Sequence, residues 1–313
     1  GEAGKGDWAR ISRARAPIPG GIPLPAYTPS PFRTAASTCN RLRSMEQGVN
    51  VGRTILTGAT GTLGRRLTLR LVERGESVVL AVRDVERGWA LKQKLREQVP
   101  EAIIDVLPLN LASLASVREF GASVLEQFDG WDRLLNVAAV TSVPHREFTD
   151  DRFELHFGVN HLGHFAATGL LMPAANAQAR VVTVSSLVAR QGEIRFHDLR
   201  FDHGYRPMRA YAASKLANLL FATELDRRLT EHGARVRSIA AHPGAVQGSA
   251  SNLLQRAAVN LIGHDADAAT DSIMAAAFGP IPPAGSWIGP ADRFGAAGAP
   301  AASPAPLPKD AAR

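Results

Sequence analysis

An apolar run at residues 53 to 57 (Arg-Thr-Ile-Leu-Thr) gives way to three glycines spaced by three, Gly58, Gly61 and Gly64, and then to a helical pattern over residues 63 to 73. Few short segments restrict a fold so strongly. A strand ending in glycine can turn tightly, let a phosphate approach bare main chain, and present it to the amides that open the next helix. The same spacing without a flanking strand and helix is only a flexible turn. Here both flanks are present, so Thr57-Gly58-Ala59-Thr60-Gly61-Thr62-Leu63-Gly64 reads as a dinucleotide-binding turn, with Gly58, Thr60, Gly61, Thr62, Leu63 and Gly64 as its contacting residues.

The pattern continues in kind. Strand-like runs at residues 77 to 82, 103 to 107, 133 to 137, 180 to 185 and 236 to 241 alternate with helical stretches at 85 to 98, 113 to 128, about 151 to 172 and about 211 to 232. A short run around Trp287-Ile288-Gly289 reads as a last strand. Regular alternation of this kind predicts an α/β, doubly wound parallel sheet of the Rossmann type with helices on both faces. No internal repeat of 20 to 50 residues is present, so solenoids and propellers are excluded.

Composition sets the limits of that domain. Six of the 20 prolines fall in residues 1 to 44 and eight in 280 to 313, which predicts a Pro/Arg-rich disordered extension at 1–44, a single folded domain at 45–289, and an Ala/Pro/Gly-rich tail at 290–313. The formal charge of +7 suggests an anionic partner only until it is located. Residues 1 to 44 hold seven Lys/Arg against Glu2 and Asp7, leaving the other 269 residues at +2. A nucleic-acid partner is therefore not expected. The extension is Arg-rich and poor in acids, as a targeting segment would be, but its prolines break any long amphipathic helix. Cys39 is the lone cysteine, which excludes an internal disulfide and a zinc ribbon. No run approaches the roughly 20 apolar residues that span a bilayer, so the expectation is a cytoplasmic protein without a transmembrane segment.

At the end of the second strand, where the ribose of a bound dinucleotide lies, the chain reads Val82-Arg83-Asp84. An acid there serves the 2′-hydroxyl of NAD, and an arginine the 2′-phosphate of NADP. Arg83 favours NADP(H), with NAD(H) possible; the plainer reading is that Asp84 caps the following helix and Arg83 is solvated.

Tyr211-Ala212-Ala213-Ser214-Lys215 places a phenol and an ammonium four residues apart on one helical face. A free tyrosine titrates near pH 10. A cation beside it is expected to lower that value toward the range useful for proton transfer. The spacing alone is common.

It occurs with Leu109-Asn110-Leu111-Ala112-Ser113-Leu114, Val159-Asn160-His161-Leu162-Gly163-His164-Phe165, Val184-Ser185-Ser186, Phe196-His197-Asp198-Leu199, Tyr211 to Asn218 and His242-Pro243-Gly244. Together these resemble the short-chain dehydrogenase/reductase family, and within it the retinol-dehydrogenase-like and carbonyl-reductase-like group, over residues 53 to 289. The resemblance implies that Tyr211 is the general acid or base, that Lys215 also binds the nicotinamide ribose, and that Ser186 holds the substrate oxygen, with Ser185 as the competing choice. It also implies that Asn160 holds a water in a proton relay from Lys215 to solvent. Asn110, Leu111, Asn136, Ala138, Pro243 and Gly244 would line the cofactor. The 24 residues between Ser186 and Tyr211 exceed the connection in many members and would line part of a pocket. His161 and His164 are close enough for a metal, but no further ligand is evident, so none is expected.

Three positions depart from the family pattern. Gly61 stands fifth and Thr62 sixth in the glycine motif, a spacing that resembles the extended, sugar-nucleotide branch. Asn-Asn-Ala-Gly becomes Asn136-Val137-Ala138-Ala139, and the aspartate near the adenine becomes Asn110, whose carbonyl oxygen can still accept. The resulting expectation is an NADP(H)-dependent oxidoreductase that interconverts an alcohol and a carbonyl on a hydrophobic small molecule, and the resemblance is compatible with a homo-oligomer. Alternatives are a non-catalytic cofactor-binding sensor and, from the glycine spacing, a nucleotide-sugar epimerase or dehydratase. A substrate loop is expected between residue 244 and about 271, including residues 249 to 262.

Overall fold

The computed structural model describes residues 51–245, 265–292 and 295–308. Its centre is one sheet of eight strands: β1 (Arg53–Thr57), β2 (Ser77–Val82), β3 (Ile104–Pro108), β4 (Trp131–Asn136), β5 (Ala175–Val184), β6 (Arg237–Ala241), β7 (Ser286–Asp292) and β8 (Ala297–Pro304), in spatial order β3-β2-β1-β4-β5-β6-β7-β8. All neighbours are parallel except β7 and β8. Helices α1 (Thr62–Glu73), α2 (Val85–Gln98), α3 (Leu114–Gln127), α4 (Leu155–Phe157), α5 (Gly163–Leu171), α6 (Pro207–Glu231) and α7 (Ala266–Phe278) supply the layers. This is the expected doubly wound architecture.

Two-sided burial follows from the two-residue period of a strand. Leu56, Leu80, Leu135 and Val182 turn toward α1 and α7, where they meet Leu67, Leu71 and Ile273. Their neighbours Ile55, Val79, Leu134 and Val181 turn the other way, onto Val117, Phe120 and Val124 of α3 and Leu171 of α5. Each such buried side chain contributes roughly 1.5 to 3 kcal/mol, so the strands read as continuous apolar runs.

Some boundaries differ from those the pattern suggests. β4 begins at Trp131 because the indole is fully buried, donates to the Leu171 carbonyl at 2.8 Å, and pairs Trp131 with Ala175 at the early start of β5. α6 begins at Pro207, whose fixed φ and missing N–H suit a first helical turn.

The expected tail after residue 289 requires a larger correction. Residues 297–304 form β8, antiparallel to β7, with Trp287 opposite Ser303 and the indole N–H donating to Ser303 Oγ at 3.0 Å. A ladder needs backbone partners more than side chains, and on β8, an edge strand among the described residues, Pro300 and Pro304 are tolerated where donors are not needed by the ladder. The expected extension at 1–44 and the core of the expected substrate loop, residues 249 to 262, lie outside the described residues.

The order reverses between β1 and β4, so their carboxyl ends diverge and open the crevice where such sheets take ligands. Among the described residues no helix is long and apolar enough to cross a membrane.

Candidate active site

Gly58 leaves β1 with φ +72°, a conformation that favours glycine. A Cβ there would lie 2.7 Å from Ala138 Cα. Gly64 is tighter still, since a Cβ would fall 2.1 Å from the Gly58 carbonyl oxygen. Gly61 is looser, with that same oxygen 3.3 Å from its would-be Cβ. The unusual place of the middle glycine therefore does not disturb the turn, whose close approaches are made by the outer two. No side chain caps α1 at Gly61, and its first turn carries no acid, so the amides after Gly61 suit an anion. Thr60 and Leu63 are half-buried and Thr62 is exposed.

Arg83 is exposed just beyond β2, and Asp84 caps α2 by accepting from Arg87 N at 3.1 Å. The plainer reading of that pair, a capping Asp84 beside a solvated Arg83, is what the structure shows. Asn110 Oδ1 accepts from Ala112 N at 3.1 Å, a local turn that uses one lone pair of the oxygen expected to face adenine. Leu111 is buried in the core, so the cleft can meet only its backbone.

Asn136 differs from expectation. It is 1% exposed, and its amide donates to Thr168 at 3.1 Å and Thr183 at 3.4 Å, so the side chain ties β4 to α5 and β5 instead of facing a cofactor. Ala138 does reach the glycine turn, and the amides of Val137 and Ala138 donate to Thr57 Oγ1 at 2.9 and 3.0 Å. That hydroxyl holds the altered Asn136 to Ala139 segment in place.

Beyond β5 the two serines separate. Ser185 is buried and donates to the Lys215 carbonyl at 2.7 Å, which occupies it structurally. Ser186 is half-buried, accepts from Val188 N at 3.5 Å, and lies near enough to the Tyr211 phenol to favour its ionised form. Lys215 is 2% exposed, its Nζ 5.8 Å from the Tyr211 ring centroid, and it donates to the Val184 carbonyl at 3.0 Å.

The electrostatics do not match the expected lowering of the phenol. Burial pushes Tyr211 above its ordinary value, with the Ser186 hydroxyl pulling the other way, while burial draws Lys215 down to about 8. Desolvation of two adjoining groups outweighs their mutual attraction here.

Asn160 lies in a π-helical turn, Gly158–Leu162, the kind of irregularity that often marks functional sites. Its side chain is engaged at both ends: Oδ1 accepts from Val140 N at 2.8 Å, and Nδ2 donates to Val140 O and Ser214 Oγ, each at 3.0 Å. Its main-chain carbonyl, a second acceptor for a relay water, already accepts from His164 Nδ1 at 2.9 Å. One lone pair remains.

The long connection from Ser186 to Tyr211 also differs from a simple pocket wall. Asp198 is buried and accepts from the amides of Asp202 at 2.7 Å and His203 at 3.4 Å, whereas Phe196 is 83% exposed. Tyr205 OH donates to Val143 O at 2.7 Å, and Arg146 donates to Phe201 O, so the connection clasps the loop after β4. Pro243 and the positive-φ Gly244 follow β6 at the same end of the sheet.

Sequence reading missed the dyad of Glu154 and His156, both fully buried, with Oε1 and Nδ1 2.8 Å apart. Its carboxylate also accepts from the amides of His156 and Phe157, and the imidazole meets the Tyr211 ring edge-on at 6.0 Å. Their i, i+2 spacing ahead of Asn160 was the available signal.

The description "short chain dehydrogenase" belongs to the family profile that matches residues 53–257. The chain is 41% identical over 196 residues to human retinol dehydrogenase 13, covering 62% of this chain and 58% of that protein. To human retinol dehydrogenase 14 it is 38% identical over 221 residues, covering 66% and 65%. The match thus spans about three fifths of the length of those relatives. Among solved structures, an uncharacterized protein from Mycobacterium paratuberculosis superposes with a TM-score of 0.67 at 38% identity, covering 80% of this chain and 84% of that one. A blue fluorescent protein from a metagenomic library, solved with NADPH, shares the fold at a TM-score of 0.58 and 20% identity, covering 73% and 91%.

Proposed function

Because this chain belongs to the short-chain dehydrogenase/reductase family, we propose that it is an NADP(H)-dependent oxidoreductase of an alcohol and carbonyl pair on a hydrophobic small molecule. The observation that carries this reading is the convergence of three side chains: half-buried Ser186 acts on the Tyr211 phenol, and buried Lys215 lies one helical turn along with its Nζ 5.8 Å from the phenol ring centroid. The positive-φ Gly58, the close-packed Gly64 and the uncapped start of α1 fit a dinucleotide pyrophosphate. Arg83, exposed past β2, suits a 2′-phosphate and supports NADP(H) over NAD(H).

When bound, the nicotinamide supplies or accepts the hydride. Ser186 Oγ orients the substrate oxygen and donates to the negative charge that develops on it. Tyr211 gives that oxygen its proton. A phenol held above its ordinary value is protonated at neutral pH, which suits the donor and hence carbonyl reduction. Lys215, near pKa 8, stands at the balance between ammonium and amine and can refill the phenol. The names of the retinol dehydrogenase relatives support an apolar aldehyde or ketone as substrate.

Purified protein with NADPH and a panel of aldehydes, ketones and quinones tests this, followed by loss of reduced-cofactor absorbance. Turnover should fall by about a hundredfold or more in Tyr211→Phe. Turnover that survives the substitution would remove the assigned proton donor, and NADPH binding with no turnover on any compound would favour a cofactor-binding sensor.

A further inference from the structure

His164 is 1% exposed and both of its ring nitrogens are engaged. Nδ1 lies 2.9 Å from the Asn160 carbonyl and Nε2 lies 2.9 Å from Thr57 Oγ1. A carbonyl can only accept, so the proton sits on Nδ1, and Nε2 then presents a lone pair to which the Thr57 hydroxyl donates. The competing acceptor for that hydroxyl, Leu135 O, is farther at 3.3 Å. With its hydrogen turned to the imidazole, Thr57 Oγ1 has its lone pairs free for the amides of Val137 and Ala138.

We propose that His164 is a positioning residue that links the floor of the glycine turn to the helix carrying Tyr211. On one side it fixes Thr57, and through Thr57 the height of Ala138, the backbone against which Gly58 packs. On the other it holds the Asn160 carbonyl in the π-helical turn. Asn160 Nδ2 then donates to Ser214 Oγ, and Ser214 donates to the Tyr211 carbonyl at 2.7 Å. The chain of bonds is continuous from the cofactor side to the proton donor. Burial, helped by the nearby Lys215 ammonium, holds the His164 imidazole near pKa 4, so the single tautomer persists through neutral pH. A phenylalanine would fill the same space but leave the Asn160 carbonyl and the Thr57 hydroxyl without this partner.

The inference rests on the oxidoreductase reading for its catalytic consequence, and its test has readouts that need no turnover. In nitrogen-15 NMR of the folded protein, His164 should show Nδ1 protonated and Nε2 bare from about pH 5 to 8; the opposite tautomer, or titration near its ordinary value, would overturn the proposal. NADPH affinity, read by fluorescence titration, should weaken about tenfold in His164→Phe and in Thr57→Val, and the double variant should be no weaker than either single one. His164→Asn, which retains a donor toward Asn160, should recover kcat more than it recovers NADPH affinity. Additive losses, or unchanged affinity in both single variants, would sink the link. If His164→Phe does not fold, the tautomer decides alone. If the unaltered protein binds NADPH but turns over no substrate, the oxidoreductase reading fails while the affinity cycle still judges the link.

Discussion

Lys215 and Tyr211 share a face of α6 with the ammonium 5.8 Å from the ring centroid, yet the ammonium donates to the Val184 carbonyl and not to the phenol. The lysine is thus held by the strand that leads into Ser186. Its burial is unfavourable to the charge. With a folded value near 8 against an ordinary 10.5, the unfolded chain binds more protons between those limits, so stability rises with pH across that window.

At pH 7 the buried charge therefore costs about 3 kcal/mol. Lys215→Met should melt several degrees above the unaltered protein at pH 7, about 2 to 4 °C per kcal/mol recovered, while losing turnover. The gap should close as pH approaches about 10.5. A gap that ignores pH would mean that packing, and not the charge, sets it.

Acid should destabilise the fold through its buried imidazoles. Burial lowers His161 and His164 to about 4 from 6.5, so each contributes stability that is complete above 6.5 and lost as pH falls toward 4, about 3 kcal/mol apiece at the limit. His161 packs among Phe157, Phe165 and Phe221, so His161→Leu should fold and should flatten urea-derived stability between pH 6.5 and 4. An unchanged slope would show that this imidazole does not titrate as described.

The glycines of the turn should not respond alike to alanine. Gly61→Ala meets one oxygen at 3.3 Å and should leave NADPH affinity within about threefold. Gly64→Ala drives its methyl to 2.1 Å from the Gly58 oxygen and should lose at least about 2 kcal/mol of stability and most cofactor binding. Thermal melts with and without NADPH compare the two. Equal damage would place the contact elsewhere.

Arg83→Ala should raise KM for NADPH about tenfold or more and leave KM for NADH nearly unchanged. Asp84→Ala should do the reverse in kind, lowering stability by about 1 kcal/mol through loss of the cap with little change in cofactor choice. Steady-state kinetics with both cofactors and one melt per variant separate the two roles, and a parallel rise in both KM values would remove Arg83 from the phosphate.

Much of this was legible in the residues because strands buried on both faces, such as β1 and β2, appear as unbroken apolar runs, and the glycine turn sits between a strand and a helix. The trio of Ser186, Tyr211 and Lys215 could be named from its motifs. What could not be read was which hydrogen bonds those motifs make. Asn136 belongs by motif to the cofactor segment, yet its amide direction is set by Thr168 and Thr183, which are distant in sequence. Asn110 and Asp198 likewise spend their side-chain oxygens on turns of their own. The buried dyad of Glu154 and His156 and the link through His164 depend on three-dimensional closure of α4, α5 and β1, which no local pattern reports. The phenol's direction of shift was misjudged for the same reason, since spacing reveals a neighbouring ammonium but not how much water both groups lose.

Both outer rims of the sheet carry imino acids, Pro108 on β3 and Pro300 and Pro304 on β8. A rim with gaps in its donors is a poor template for another chain. The Ala/Pro-rich stretch that resembles dispensable sequence therefore serves as a bumper. Trimming the gene by composition would strip Trp287 of its cover and leave β7, a far stickier border, facing every other copy in the tube.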